Sequence, residues 1–411
     1  PSPELPPAGT GTTTWYYDSQ RGWLNGKTYA DGKGTSYTYS ASGRMHTRRW
    51  ARNITTTYGY NTAGEMESVD YSDSTPDVSL TYDRAGRIKT EGNDVAGTLF
   101  SYSTDGRTIQ QDLVIAGVEM QMIEGLDTRF RREYLRALMG SYEFRTDYGY
   151  DGASRLSSLT DDGSGNSIHF DYETSSPLVK KIGYRNAQGT EVAATAKTWD
   201  KLGRARTLTT TKRTGRVVSS FDYRYDTLGR RTEVHHEDGT YWGYYYDSRD
   251  QVLAGEKKLR GGGDLDGWQY GYAYDSIGNR TGTTVNGRAA VYSPNALNQY
   301  TQRTVPGAVD AVGVADPQAT VTVNGAAAGR QLQFFHGEIA CNNTTQPVWQ
   351  QVTVRSELTS APAEEVTGHA YVPKTAEAFT YDDDGNLLTD GRWQYTWDGE
   401  NRLIRMESIA S

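Results

Sequence analysis

Cysteine is almost missing from this chain: Cys341 is the single one in 411 residues. It can form no internal disulfide, so stability has to come from the fold itself, and a lone cysteine identifies no redox compartment. Large apolar side chains are scarce as well. There are 8 Phe and 6 Met, and hydrophobic residues make up 36%, below the ~45–50% usual for globular chains. That leaves little material for a thick central core, although the chain is too aromatic to be disordered. Positive charge is not in excess: the formal net charge of −8 disfavours a non-specific nucleic-acid binder. No stretch of about 18 apolar residues exists to form a membrane-spanning helix. The opening Pro1-Ser2-Pro3-Glu4-Leu5-Pro6-Pro7 has no basic region followed by an apolar one, so it does not read as a signal peptide. Residues 1–14 read as a linker, or as a cut made inside a longer chain.

What the chain does have is 45 Gly and 30 Tyr. Aromatic rings suit a half-buried pleated surface, and Gly reaches positive φ in tight turns. The composition therefore points to a thin, extended all-β structure.

A six-residue pattern recurs: aromatic, Asp, two variable residues, Gly, then Arg or Asn. Clear copies are Tyr82-Asp83-Arg84-Ala85-Gly86-Arg87, Tyr225-Asp226-Thr227-Leu228-Gly229-Arg230 and Tyr274-Asp275-Ser276-Ile277-Gly278-Asn279. Trp199-Asp200-Lys201-Leu202-Gly203-Arg204 and Tyr381-Asp382-Asp383-Asp384-Gly385-Asn386 belong with them, and looser copies begin at Tyr17, Tyr39, Tyr60, Tyr102, Tyr150, Tyr246, Tyr292 and Trp397. Tyr17, Tyr39, Tyr60, Tyr82 and Tyr102 follow one another at steps of 20–22 residues, and a fixed period of this size marks a repeat architecture. Asp can bond the backbone amides just ahead of it, and Gly supplies the left-handed position that closes the turn. Alternating stretches such as Val78-Ser79-Leu80-Thr81-Tyr82 flank it, so each unit predicts a β-hairpin. The period leaves two strands of roughly 8 residues, about 26 Å each. A lone hairpin is marginal in water, so neighbours must pair edge to edge. A sheet that long twists, and a spiral ribbon is the expected result.

Two regions break the period. Over 109–147, strands with a degenerate turn are expected to continue the sheet, with a short helix at Thr128–Leu135 as the alternative. Over 304–378 the Tyr and Asp-x-x-Gly signals fade, and Ala319-Thr320-Val321-Thr322-Val323-Asn324-Gly325 and Val352-Thr353-Val354 take their place. Alternating β-branched residues with Asn-Gly turns predict an inserted Ig-like β-sandwich there. The expected organisation is a linker at 1–14, a repeat sheet at 15–303, the sandwich at 304–378 and a repeat continuation at 379–411. Gly261-Gly262-Gly263 is expected to be a flexible loop tip.

At these residues the chain resembles the Rhs/YD-repeat family, which includes bacterial polymorphic toxins, the C subunits of Tc toxins and the YD shells of teneurins. The resemblance covers roughly 15–302 and 379–408. Gly391-Arg392-Trp393-Gln394-Tyr395-Thr396-Trp397-Asp398-Gly399-Glu400-Asn401-Arg402-Leu403 and Asn295-Ala296-Leu297-Asn298-Gln299-Tyr300 look like variants found in large bacterial members. The resemblance implies a hollow β-shell. In toxin members such a shell encloses a C-terminal effector; in teneurins it carries cell-contact surfaces. The core motif that ends toxin shells is not found before Ser411, so the chain looks like a portion of a longer protein.

Candidate chemistry is sparse. Gly22-Trp23-Leu24-Asn25-Gly26-Lys27-Thr28 is one residue short between its glycines for a phosphate loop, and no helix pattern follows. His235-His236 lacks a third ligand, and adjacent strand residues point to opposite faces. Asp264-Leu265-Asp266-Gly267 and Asp382-Asp383-Asp384-Gly385 carry carboxylates of the kind calcium uses, without the other positions of a calcium loop. Cys341 lies outside any nucleophile signature. Asn53 and Asn343 begin glycosylation patterns too common to weigh. The recurring Tyr read as cross-strand ties before they read as a binding surface. No catalytic, cofactor-binding or metal residue is nominated, no cofactor is implied, and the chain is expected not to be an enzyme. The function expected is a shell or scaffold segment of a large secreted or cell-surface bacterial protein, enclosing or displaying a C-terminal effector. The alternative is an adhesion or carbohydrate-binding protein of the surface, with a protein or glycan ligand.

Overall fold

Among the described residues every regular element is a strand, and the reason is visible in each unit. The computed structural model describes residues 11–409, so most of the 1–14 linker expectation lies outside the described residues. Successive strands from Thr14–Tyr17 to Tyr300–Arg303 each pair antiparallel with the next one in sequence. The last of them pairs across the interruption with Glu377–Ala378, which completes a 27-stranded sheet. Phe379 N donates to Thr301 O at 3.0 Å, so the chain stays on the sheet edge through Thr380–Tyr381. The strands Leu387–Thr389, Trp393–Trp397 and Leu403–Ser408 then carry the ribbon on.

The ribbon has two edges. One carries the Asp-x-x-Gly turns and is here called the turn edge. The other carries the connections between units and is called the tip edge. Strands of eight or nine residues occur over 108–150 and 191–225, but those between Leu24 and Gly92 have five or six. The expected eight falls short there because the turn and a tip of three to six residues consume the rest of the period.

The first break continues the sheet: Val118–Leu126, Arg132–Met139 and Tyr142–Tyr150 pair in order, with no helix. Gly262 closes a tight turn, its N–H donating to Leu259 O at 2.8 Å. The second break holds two separate sheets. Ala308–Val314, Phe334–Ala340 and Gly329–Gln331 form one; Ala326–Ala327, Thr320–Val323, Val348–Leu358 and Ala361–Val372 form the other. Ala311, Val321, Val323 and Phe335 are buried together, with Ile339, Val352 and Val354 against them. This segment leaves and rejoins the ribbon through a stem: Asn343 Nδ2 donates to Val305 O at 3.0 Å and to Pro373 O at 2.8 Å.

The two faces of the ribbon differ. Register aligns Tyr148 with Leu159 and Leu159 with Ile168 on one face, then Leu208 with Phe221, and Val234 with Trp242. Ser158 with His169, Thr198 with Thr207 and Thr209 with Ser220 lie on the other. The ribbon therefore has one aromatic and aliphatic face and one small polar face, as a period of two dictates.

Candidate functional site

The repeated unit builds a turn whose parts have separate tasks. In Tyr82–Arg87, Gly86 N donates to Asp83 O at 3.1 Å and Asp83 N to Arg87 O at 2.8 Å. Asp83 Oδ1 accepts the amides of Ala85 and Arg87 at 2.8 and 3.0 Å, while Oδ2 accepts Arg87 Nε at 2.7 Å. Gly86 has φ +75°, the left-handed region that costs other residues about 1–2 kcal/mol. The same bonds recur around Asp151, Asp200 and Asp226. A bulge sits just before the aromatic residue, between Thr81 and Tyr82 or between Thr198 and Trp199.

The aromatic residue ties its unit to the one before. The hydroxyls of Tyr39, Tyr60, Tyr82 and Tyr102 donate to the carbonyls of Leu24, Met45, Met66 and Ile88 at 2.7–2.9 Å. Tyr150, Tyr172, Tyr225 and Tyr246 repeat this on Arg132, Leu156, Ala205 and Arg231. Trp199 and Trp397 use Nε1 on Val179 and Leu387 at 3.0 and 2.7 Å. In each case the acceptor directly follows the preceding turn. The Arg that closes that turn lies over the same ring: Arg87 over Tyr102, Arg155 over Tyr172 and Arg204 over Tyr225 at 4.1–4.4 Å. Each step thus adds a hydrogen bond of about 1 kcal/mol net and a cation–π contact of about 0.5–1 kcal/mol.

The ribbon closes on itself. Asp384, with a side chain 2% exposed, accepts Ala51 N at 2.7 Å and Arg52 Nε at 2.5 Å. Arg52 Nη2 reaches on to Asp398 O at 2.8 Å and Asn401 Oδ1 at 2.6 Å. Glu400 pairs with Arg48, and the fully buried Thr56 donates to its Oε1 at 3.3 Å. Gly399 N donates to Thr75 Oγ1 at 2.7 Å, and Lys33 pairs with Asp383. Burial, then the Glu400 charge, pushes the Tyr71 hydroxyl up to about 12. These contacts set turns of the C-terminal units on tips of the N-terminal units. An edge seated on the opposite edge makes a spiral; a flat ring would have joined strand to strand.

The circuit can be counted. The tip between Met45–Arg49 and Thr55–Tyr60 meets the turn between Thr380–Tyr381 and Leu387–Thr389. The tip between Met66–Tyr71 and Val78–Tyr82 meets the turn between Trp393–Trp397 and Leu403–Ser408. Counting Glu377–Tyr381 as one strand, twenty-three ribbon strands separate the partners in both contacts. At about 4.8 Å per strand one circuit is about 110 Å around and about 35 Å across.

The segment between Thr304 and Thr375 docks on the aromatic face near the tip edge. Arg288 of the ribbon pairs with Asp310 and Glu338, and Asp310 Oδ1 bonds His336 Nε2 at 2.8 Å. Gln331 accepts Asp266 N at 2.8 Å and donates to Asp264 O at 3.0 Å. Lys257 lies between the Trp268 and Phe334 rings, and Tyr371 donates to Gly391 O at 2.7 Å.

The residues singled out in the sequence do not converge. His235 stacks on Tyr241 and bonds Glu233, while His236 meets the Phe221 edge; burial, then Lys257, lowers the His236 pKa. Gly22 ends a turn and Leu24–Thr28 is a strand. Cys341 is half-buried just past a strand, and burial pushes its thiol up. Asp382 holds its own turn through Asp384 N and Asn386 N. Asn343 is a buried strut. Among the described residues no three His, Cys, Asp or Glu side chains gather as a metal would need, and no helix is long and apolar enough to cross a membrane.

Three features escaped the sequence. Leu126-Asp127-Thr128-Arg129-Phe130-Arg131 is a full turn unit without Tyr or Gly: Phe130 takes φ 59°, and the Arg131 guanidinium draws the Asp127 carboxyl down to about 2. The turn assigned to Tyr292 is built on Asn295, with Pro294 in the aromatic place and Asn298 in the glycine place. The seam also went unforeseen: Asp384 stood in the sequence only as one of a run of turn carboxylates and Glu400 only as part of a repeat variant, and Arg52 was not singled out. Asp384 and Glu400 share an acid at the second variable position, where Leu202, Leu228 and Ile277 stand in other units, but Asp105 has it too and bonds only within its own turn.

No family model and no curated protein matches the chain. Solved structures do resemble it. The crystal structure of TcdB2-TccC3-TEV is 12% identical at a TM-score of 0.47, over 96% of this chain and 25% of that one. A Tc holotoxin pore from Photorhabdus luminescens is 13% identical at 0.45, again over 96% and 25%. The chain spans about a quarter of the length of those it resembles.

Proposed function

We propose that this chain is a wall: a non-enzymatic YD-repeat shell or scaffold segment of a secreted or cell-surface bacterial protein, which encloses or displays an effector. The observation that carries this reading is the seam joining Arg52 to Asp384. An adhesive ribbon has no need to bring its ends together, whereas a container does. The circuit of about 35 Å leaves room for an extended or loosely folded chain.

The aromatic face supports the same reading. Between Ile88 and Tyr225 the extensive contacts of each strand are with its neighbours in the ribbon, yet Leu159, Ile168, Phe170, Ile182 and Leu208 are half-buried. An aromatic and aliphatic wall offers weak, non-directional contacts to exposed apolar segments of a guest. The repeat itself has no spare chemistry, since its Asp, Gly, Arg and Tyr are all consumed in building the wall.

The test is protease protection in the natural full-length product. A guest following this segment should resist digestion in the intact protein and become cleavable when Arg52→Ala and Asp384→Ala open the seam. A guest digested equally fast in both would end the container reading.

A further inference from the structure

Between the ribbon and the stem of the insert lies a cleft of about 470 Å³. Ligand clefts usually hold about 300–1,000 Å³ and favour the joint between two packed bodies. The floor of this one belongs to the ribbon, where register sets Tyr272 against Thr283 and Thr283 against Ala290. The roof belongs to the insert, with Ala308 on one arm of the stem and Val372 and Pro373 on the other. Ala308 shares a strand face with Asp310, which meets Arg288 of the ribbon. Ala290, Tyr292 and Val372 are buried against the cleft.

The polar groups of the lining gather at its two ends. At one end Arg288 is fully engaged, with one Nη on Asp310 and the other on Glu338. Those two carboxylates exceed it by one charge. At the other end register sets Tyr292 against Arg303 and Arg303 against Glu377. Arg303 Nε bonds Glu377, and the guanidinium lies within hydrogen-bond reach of the Tyr292 hydroxyl. The rest of its fork is unpaired among the described residues. Arg280 lies over the Tyr292 ring at 4.7 Å, and its buried Nε has no partner among the described residues. Two guanidiniums here share one carboxylate. The Tyr292 phenol registers that excess. Burial raises it, but Arg303, then Thr283 and Arg280, outweigh burial and draw it below the usual tyrosine value. Tyr58, Tyr244 and Tyr270 are all raised by burial instead.

We propose that this cleft binds a small aromatic monocarboxylic acid, its carboxylate on the free part of the Arg303 fork and its ring between Tyr272 and the insert. A planar fork matches a carboxylate in geometry as well as charge. Tyrosine walls suit a flat apolar body. Four residues of one strand separate Tyr292 from Arg288, about 13 Å, which gives room for one or two fused rings. The surplus carboxylate at the Arg288 end disfavours a second negative charge there. Such a ligand touches ribbon and insert at once, so its occupancy holds the two together by mass action. Nothing in this depends on what the wall encloses.

Isothermal titration of the 411-residue chain with 2-naphthoate, neutral 2-naphthamide and protonated 2-naphthylmethylamine tests this. The acid should saturate one site, the amide should bind about tenfold more weakly, and the amine should not bind. Arg303→Lys keeps a charge beside Glu377 but loses the fork, so the acid should fall to the affinity of the amide. Ala308→Phe fills the cleft from its roof and should abolish binding, with circular dichroism melts checking that it folds. Acid bound to the wild-type chain should also slow hydrogen exchange at 304–310 and 370–373, a readout that needs no variant. A wild-type chain with no saturable site for the acid, an amide that binds as tightly, a folded Ala308→Phe that binds like wild type, or protection confined to other segments would each overturn the proposal.

Discussion

Arg52 Nε donates to Asp384 Oδ2 at 2.5 Å, across a sequence separation of 332 residues. The carboxylate also caps the tip, taking Ala51 N at 2.7 Å and Arg52 N at 3.3 Å. One buried acid therefore satisfies a guanidinium and two amides from the far end of the chain.

Asp384→Ala should be among the most damaging single changes in the repeat region. Removing one partner of a buried pair costs about 3–5 kcal/mol, because the other charge is left uncompensated. Hydrogen exchange should rise in Met45–Arg49 and Thr55–Tyr60 while distant strands stay protected. A double-mutant cycle with Arg52→Ala should show coupling of about 1–3 kcal/mol. Additive losses would mean that the two residues act separately.

Tyr225→Phe should cost about 0.5–1.5 kcal/mol. The ring stays under Arg204, but the 2.7 Å bond to Ala205 O is lost. Tyr225→Leu loses the cation–π contact too and should cost more. Denaturant titration of both variants separates the two contributions; equal losses would assign the whole effect to the hydroxyl bond and none to the ring.

Phe130→Gly is expected to stabilise. Phe130 holds φ 59° and is 64% exposed as a residue, so its side chain gains little where it stands. A left-handed L residue costs about 1–2 kcal/mol, and the added chain entropy of Gly returns about 0.5–1 of it. A net gain of about 0.5–1 kcal/mol should appear as a higher denaturation midpoint. The opposite change, Gly229→Ala at φ +87°, should lower it.

Acid should loosen the turns in a defined window. The Ser103 hydroxyl, then the Arg107 amide and guanidinium, draw the Asp105 carboxyl down to about 2, and Arg131 does the same for Asp127. Their folded values lie below the unfolded value of about 3.9. The stability they contribute is therefore present above pH ~4 and lost as pH falls towards 2. Carboxyl carbon shifts followed by NMR should titrate near 2 for these two residues. Ordinary titration near 4 would remove the turn bonds from the account.

Much of the fold could be read from the chain. In Tyr225–Arg230 every bond that shapes the turn lies within six residues, so composition and order suffice to place it. The spacing of the units then requires neighbouring hairpins to pair. Tyr-to-carbonyl bonding was legible only as a tie between strands; its acceptor depends on the bulge before each aromatic residue. The unit at Asp127 stayed hidden because Phe130 does what Gly usually does, held there by Asp127 and Arg131.

The sequence by itself determined the wall, because turn chemistry is local and repeats. The tertiary structure alone decided the circuit. Twist accumulates in small steps over twenty-three strands, and no single unit records the sum. Whether Asp384 lands on Arg52 depends on that sum, as does the place where the inserted sheets meet Arg288. Asp105 holds the same position in another unit and bonds only Ser103 and Arg107 of its own turn.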